Sequence, residues 1–168
     1  MPGYIIHIAI ATQYLKKHKE KYDEDFILGS ISPDLTDNKS LTHFGKSPAY
    51  TNLKGFLLEN TLNTNLSRGH FLHLISDYLF YNSYLEKLSK PQIYDDYDCT
   101  NKNLIQKYKL IVPNIIKDKI FFKEGQPQII NFPLLYKLID EISNLNLEDV
   151  VSEVLNNKVK WKKYKNLI

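Results

Sequence analysis

Apolar residues recur three and four positions apart along most of this chain, the spacing of helices that bury one face. Residues 4–18 follow it with little turn chemistry and predict a first helix. Residues 26–31 predict a short second one, stopped at Ser32-Pro33-Asp34 because the residue ahead of a proline is pushed out of the helical region. Residues 35–47 are polar and irregular and read as a loop carrying His43-Phe44-Gly45. Ser47-Pro48 has the form of an N-cap followed by proline at the first helical position, which predicts a helix over residues 48–60. Ser67 opens the next, running to about Leu88. Its aromatics Phe71, Tyr78, Phe80, Tyr81 and Tyr84 read as packing for the domain centre, or alternatively as the lining of a cleft. After an acidic turn come a helix over 101–110 and a segment restarted at Pro113. A longer helix is capped by Asn131-Phe132-Pro133 and ends near Ser143, and a last one covers 147–155. Alternating strand patterns are confined to 119–122 and 128–130. The expectation is all-α: one helical bundle over residues 1–168.

At 168 residues the chain can bury a core without covalent staples. The net charge of +3 is mild, and lysines are scattered among acids except at 158–165. That basic run reads first as a solvated amphipathic helix end and second as a contact for phosphate or an anionic surface. No nucleic-acid partner is inferred. The single cysteine, Cys99, excludes an intramolecular disulfide. It follows Tyr94-Asp95-Asp96-Tyr97-Asp98, where negative charge raises a thiol pKa and argues against thiol catalysis. Nothing approaches the roughly 20 apolar residues of a membrane span. The apolar run 4–11 is short, interrupted by His7 and preceded by no basic region, so no cleaved secretion signal is expected and the expected location is cytoplasmic.

The candidate chemistry begins at Gly69-His70-Phe71-Leu72-His73-Leu74-Ile75-Ser76-Asp77, which on a helix places His70, His73 and Asp77 on one face. Imidazole with carboxylate suits zinc, manganese or iron, although a histidine in an apolar helix is also how a hydrogen-bonded core residue looks. His7, Asp34 and His43 sit in segments that otherwise read as core or tight turn, so four of the five histidines join one set. The fifth, His18, lies in a charged run and reads as solvated. Asp34, His43, His73 and Asp77 would form a mixed nitrogen and oxygen shell for one divalent cation. His7 could serve a second, with Asp77 bridging ions about 3.5–4 Å apart as two-metal hydrolases require.

In this order the residues resemble the bacterial zinc-dependent phospholipase C family, which shares an all-helical trinuclear zinc fold with fungal single-strand nucleases. The resemblance runs through Met1-Pro2-Gly3-Tyr4 with His7, then Phe26-Ile27-Leu28-Gly29-Ser30-Ile31-Ser32-Pro33-Asp34, then 39–44 with His43, then 69–81 with His73 and Asp77. It covers about the first half of the chain. It implies that Asp34, His43, His73 and Asp77 ligate one zinc, that His7 and a bridging Asp77 belong to a second, and that Asp34 acts as general base. The family completes its second zinc with the terminal amino and carbonyl groups, which here would belong to Pro2 after removal of the initiator methionine. Its third zinc uses two histidines and a glutamate downstream, whereas this chain has no histidine after His73. His70, Asp95, Asp96 and Asp98 are the available substitutes, with His70, Asp96 and Asp98 the lower-ranked site residues.

The function so implied is a metal-dependent phosphoesterase using zinc, one or two ions, and a metal-activated water. Its substrate would be a phosphodiester or phosphomonoester, lipid or small molecule. The alternative is a non-catalytic binding or interaction protein whose metal site is structural or vestigial. A nucleotide phosphohydrolase of the kind named for an adjacent His-Asp pair is disfavoured, because no His-Asp dipeptide occurs.

Overall fold

The computed structural model describes residues 3–86 and 88–158, and is all-α. The helices are α1 (Tyr4–Lys17), α2 (Glu24–Ile31), α3 (Lys39–Thr42), α4 (Leu53–Glu59), α5 (Asn65–Leu79), α6 (Lys90–Tyr108), α7 (Phe132–Ser143) and α8 (Leu147–Leu155). Short 3-10 turns cover Ser32–Asp34, Pro48–Tyr50 and Asn114–Lys119, and a π-turn covers Phe80–Tyr84.

Two helices are covered on nearly every side, and both carry site residues. In α1 every residue from Ile5 to Ala11 is buried, His7 among them. In α5 every residue from Phe71 to Tyr78 is buried, including His73, Ser76 and Asp77. A helix apolar all round belongs inside a core, and the polar residues in these stretches are therefore forced together there. Full burial of side chains such as Phe26, Phe71 and Ile6 contributes about 1.5–3 kcal/mol each, which offsets the cost of holding the polar groups. One contiguous core joins all the long helices.

The most extensive packing is between α2 and α5. It depends on two glycines: a Cβ on Gly29 would lie 2.1 Å from the Leu66 carbonyl oxygen, and one on Gly69 would lie 2.1 Å from that of Phe26. The absence of side chains lets the two backbones touch, which sets Ser30 of α2 against His73 of α5.

Several expected elements are placed differently. The helix expected over 48–60 is broken at Thr51, whose backbone is extended; its hydroxyl donates to the His43 carbonyl, and the Asn52 N–H donates to the same oxygen. Asn52, not Ser47, then caps α4. The helix expected to reach Leu88 ends at Leu79 in the π-turn, closed by the Leu85 N–H donating to the Phe80 carbonyl. The acidic segment 94–98 is no turn but lies within α6, whose buried stripe Ile93, Asp96, Tyr97, Thr100, Asn101 and Leu104 has helical spacing that runs through polar residues. The strand candidates 119–122 and 128–130 form no strand among the described residues. The aromatics of α5 and its π-turn are core: Phe71, Tyr78, Phe80 and Tyr81 are buried, Tyr84 half-buried. Met1, Pro2 and nearly all of the basic run 158–165 lie outside the described residues.

Candidate metal centre

His7 from α1, Asp34 from the turn after α2, His43 from the end of α3, and His73 with Asp77 from α5 converge at one point, every side chain wholly buried. The turn Ser32–Asp34 brings Asp34 inward, and the Tyr4 hydroxyl donates to its backbone carbonyl at 2.9 Å. His7 stacks on His73 with ring centres 3.8 Å apart. Its Nε2 is 3.4 Å from Asp77 Oδ1 and 4.0 Å from Asp34 Oδ2. His43 Nε2 is 3.1 Å from Asp77 Oδ2 and 3.6 Å from Asp34 Oδ1. His73 Nε2 is 3.7 Å from Asp77 Oδ2 and 4.0 Å from Asp34 Oδ2.

The hydrogen bonds behind the imidazoles decide what they present to this point. His43 Nδ1 meets the Lys39 carbonyl at 2.8 Å, and His73 Nδ1 meets that of Ser30 at 2.8 Å. A carbonyl only accepts, so each Nδ1 carries the proton and each Nε2 directs a lone pair inward. Those two Nε2 atoms face each other at 3.1 Å. Neither ring nitrogen of His7 and none of the four carboxylate oxygens of Asp34 and Asp77 has a hydrogen-bond partner. Buried polar atoms are nearly always satisfied, and a cluster this rich in inward acceptors is one that a cation would satisfy.

The spacing fits one. Zinc binds nitrogen and oxygen at about 2.0–2.2 Å, which puts tetrahedral donors about 3.3–3.6 Å apart, and the donor pairs here are 3.1–4.0 Å apart. Backbone carbonyls holding the distal ring nitrogens are the usual support of metal-binding histidines. Two donor triads have ligand atoms within 4.8 Å of one another, His7 with His73 and Asp77, and Asp34 with His43 and His73. Both contain His73, whose one inward lone pair cannot serve two ions. The two triads therefore cannot both be filled at once, while His7 and Asp77, the expected start of a second site, lie side by side with Nε2 3.4 Å from Oδ1.

The charged states agree with an acceptor-rich pocket. Burial, then the neighbouring His7, holds His73 well below the ordinary imidazole value. Burial and the neighbouring Asp77 push the Asp34 carboxyl up, against His7, Lys39 and His43. Burial also opposes ionisation of Asp77, but the imidazoles of His73, His43 and His7 hold it below the carboxylate range.

The other candidates stand elsewhere. His70 Nε2 donates to the Thr42 carbonyl at 2.8 Å and its ring lies against Phe56, so it braces the loop that carries His43 and does not join the cluster. Asp96 is buried and saturated. Its Oδ1 accepts from Gln92 Nε2 and the Gln128 N–H, and its Oδ2 from the Ile129 and Ile130 N–H groups, at 2.7–2.9 Å. It clamps the 128–130 segment onto α6 and has no lone pair left for a metal. Asp95 pairs with Lys123, and the half-exposed Asp98 stands outside both triads. Cys99 is raised by burial first, with Asp95, Asp96 and Asp98 adding to it against Lys123. His18 is half-buried and stacks on Tyr14 rather than standing in solvent.

Two further side chains stand against the cluster or act on it. Lys39 Nζ lies 3.3 Å from Asp34 Oδ1 with its side chain 30 % exposed. Tyr97 is buried, and burial, then Asp77, keeps its hydroxyl protonated. Lysines are too common in this chain for Lys39 to signal anything, and its approach to Asp34 depends on the tertiary fold. Tyr97 and Tyr4 also line a cavity of about 380 Å³, with Tyr94 and Phe121 at its exposed side.

No protein-family profile, curated protein or solved structure matches this chain. The buried His/Asp cluster could hold a metal ion, and no helix among the described residues is long and apolar enough to cross a membrane.

Proposed function

We propose that this chain is a metal-dependent hydrolase of phosphoester bonds, with zinc held by His7, Asp34, His43, His73 and Asp77. The observation that supports it is the inward pair of imidazole lone pairs at 3.1 Å beside two carboxylates that accept no hydrogen bond. The order of these residues, similar to that of the zinc-dependent phospholipase C family, supports phosphoester chemistry in particular.

When bound, a divalent ion lowers the pKa of a coordinated water toward about 7 and stabilises charge developing on a phosphoryl oxygen. The chain's own residues supply the rest. Ser30 and Lys39 hold His73 and His43 in one tautomer through their carbonyls. Asp34, whose affinity for a proton is raised by burial and by Asp77, is suited to take a proton from an attacking water. Tyr4 fixes the backbone of Asp34. A phosphomonoester or phosphodiester, lipid or small molecule, is the substrate class.

A second reading, in which the ion is structural and the protein binds a partner without turnover, is favoured by the complete burial of all five side chains. Structural zinc sites are closed, whereas catalytic ones keep a position for water or substrate. Zinc-loaded protein tested on 4-nitrophenyl phosphate and bis(4-nitrophenyl) phosphate separates the two. Hydrolysis that a chelator stops, zinc restores and His73→Ala abolishes supports the enzyme. Stoichiometric zinc with chelator-sensitive melting and no hydrolysis of any phosphoester assigns the structural role.

A further inference from the structure

We infer that Lys39 stands in for a second metal ion, so that the centre works with one divalent cation and an ammonium group that receives a phosphoryl oxygen. The inference rests on the phosphoester reading above and specifies how the same site recognises its substrate.

Three observations lead to it. First, the two donor triads among the described residues share His73, so they accommodate one ion. Second, Asp34 touches the cluster through both oxygens, Oδ2 at 4.0 Å from His7 and His73 and Oδ1 at 3.6 Å from His43 Nε2, and Oδ1 also lies 3.3 Å from Lys39 Nζ. A cationic side chain already stands against the carboxylate beside the cluster. Third, the five metal-directed side chains are wholly buried, whereas the Lys39 side chain is 30 % exposed and carries charge from the cluster to solvent. Its position is built in, because the carbonyl of the same residue orients His43 at 2.8 Å. Backbone and side chain of Lys39 thus serve two sides of one centre.

The charges explain the consequence. Histidines ligate in the neutral form, so a divalent ion cancels Asp34 and Asp77 and leaves the inner cluster neutral. Lys39 makes it net positive by one charge. A centre with that balance attracts an anion at its exposed flank, and an ammonium is a strong point-charge partner for phosphate. Substrate oxygen then exchanges with Asp34 as a contact of Lys39.

The test uses the full chain stripped with chelator and reloaded with zinc. It measures zinc by plasma mass spectrometry and inorganic phosphate binding by titration calorimetry in wild type, Lys39→Met and Lys39→Arg. All three should retain a single zinc, since the backbone carbonyl that orients His43 is untouched. Phosphate affinity should fall by about tenfold or more in Lys39→Met and stay within a few-fold in Lys39→Arg. Unchanged phosphate affinity in Lys39→Met overturns the inference, as do two zinc ions per wild-type chain, zinc-loaded wild type that ignores phosphate, or loss of zinc from Lys39→Met. Absence of zinc from the wild type overturns the hydrolase reading itself, a result distinct from these.

Discussion

Replacing Gly69 by alanine tests whether the contact between α2 and α5 sets the geometry of the metal centre. The new Cβ would stand 2.1 Å from the Phe26 carbonyl oxygen and 3.0 Å from the Ser30 nitrogen, both backbone atoms that no rotamer change can move. Relief to an ordinary contact requires α2 to retreat by about 1 Å. The Ser30 carbonyl, on the same rigid helix, retreats with it, so its hydrogen bond from His73 Nδ1 lengthens from 2.8 Å to about 3.8 Å and is lost. Overpacking of this kind costs about 1–3 kcal/mol, and the lost hydrogen bond about 1 more. Alanine's better helix propensity returns about 1 kcal/mol, leaving a net loss of about 1–3 kcal/mol. Loss of a supporting partner behind a metal-binding histidine weakens zinc binding by about 10–100-fold. Urea unfolding of zinc-free protein and competition against a chromophoric chelator measure the two effects. Zinc affinity within twofold of wild type, together with unchanged stability, would refute the link between the glycine contact and the site. Gly29→Ala, which meets the Leu66 carbonyl at 2.1 Å, should behave in the same way.

Asp96→Asn should keep full zinc content but lose about 2–4 kcal/mol in urea unfolding, because an amide nitrogen must face two of the N–H donors that Asp96 now satisfies; a loss of zinc would return Asp96 to the ligand set. His70→Ala should also retain its zinc, with affinity reduced less than tenfold, since His70 supports only the Thr42 carbonyl; complete zinc loss would make it a ligand. For zinc-free protein, His73 and His70 are held below the ordinary imidazole value, in both cases by burial first. The unfolded chain then binds the extra protons, so stability is full above about pH 6.5 and declines as pH falls below it. Asp34, pushed up by burial and Asp77, contributes in the opposite sense, so urea midpoints are measured across pH 5–8 in Asp34→Asn, where a midpoint that rises toward pH 5 would contradict the buried neutral imidazoles.

The all-α class was legible because apolar spacing and caps agree along most of the chain. Asn131 caps α7 as its Asn-Phe-Pro sequence suggested, and α8 spans the residues its pattern marked. The α6 stripe was hidden because Asp96 and Asn101 occupy buried positions, where a polar residue reads as surface. The break at Thr51 depends on two hydrogen bonds to the His43 carbonyl, a partner eight residues back that the apolar pattern does not reveal. The five cluster residues were marked by being polar in apolar surroundings. His70 shared that mark and helical face, but it stands two turns from Asp77, about 10 Å along the axis, too far to share an ion with it. Asp96 stands in an acidic run that reads as a turn, and itself reads as a substitute ligand, whereas three backbone N–H groups gather on it.

The metal content of the purified chain tests the cluster most directly. Protein prepared without chelator or metal-affinity resin, and again after zinc reconstitution, is measured by plasma mass spectrometry beside His73→Ala. A single zinc per wild-type chain, absent from the variant, is the expected result. Wild-type protein that takes up no metal even after reconstitution, or His73→Ala protein that binds as much as wild type, would contradict a metal centre built on His73.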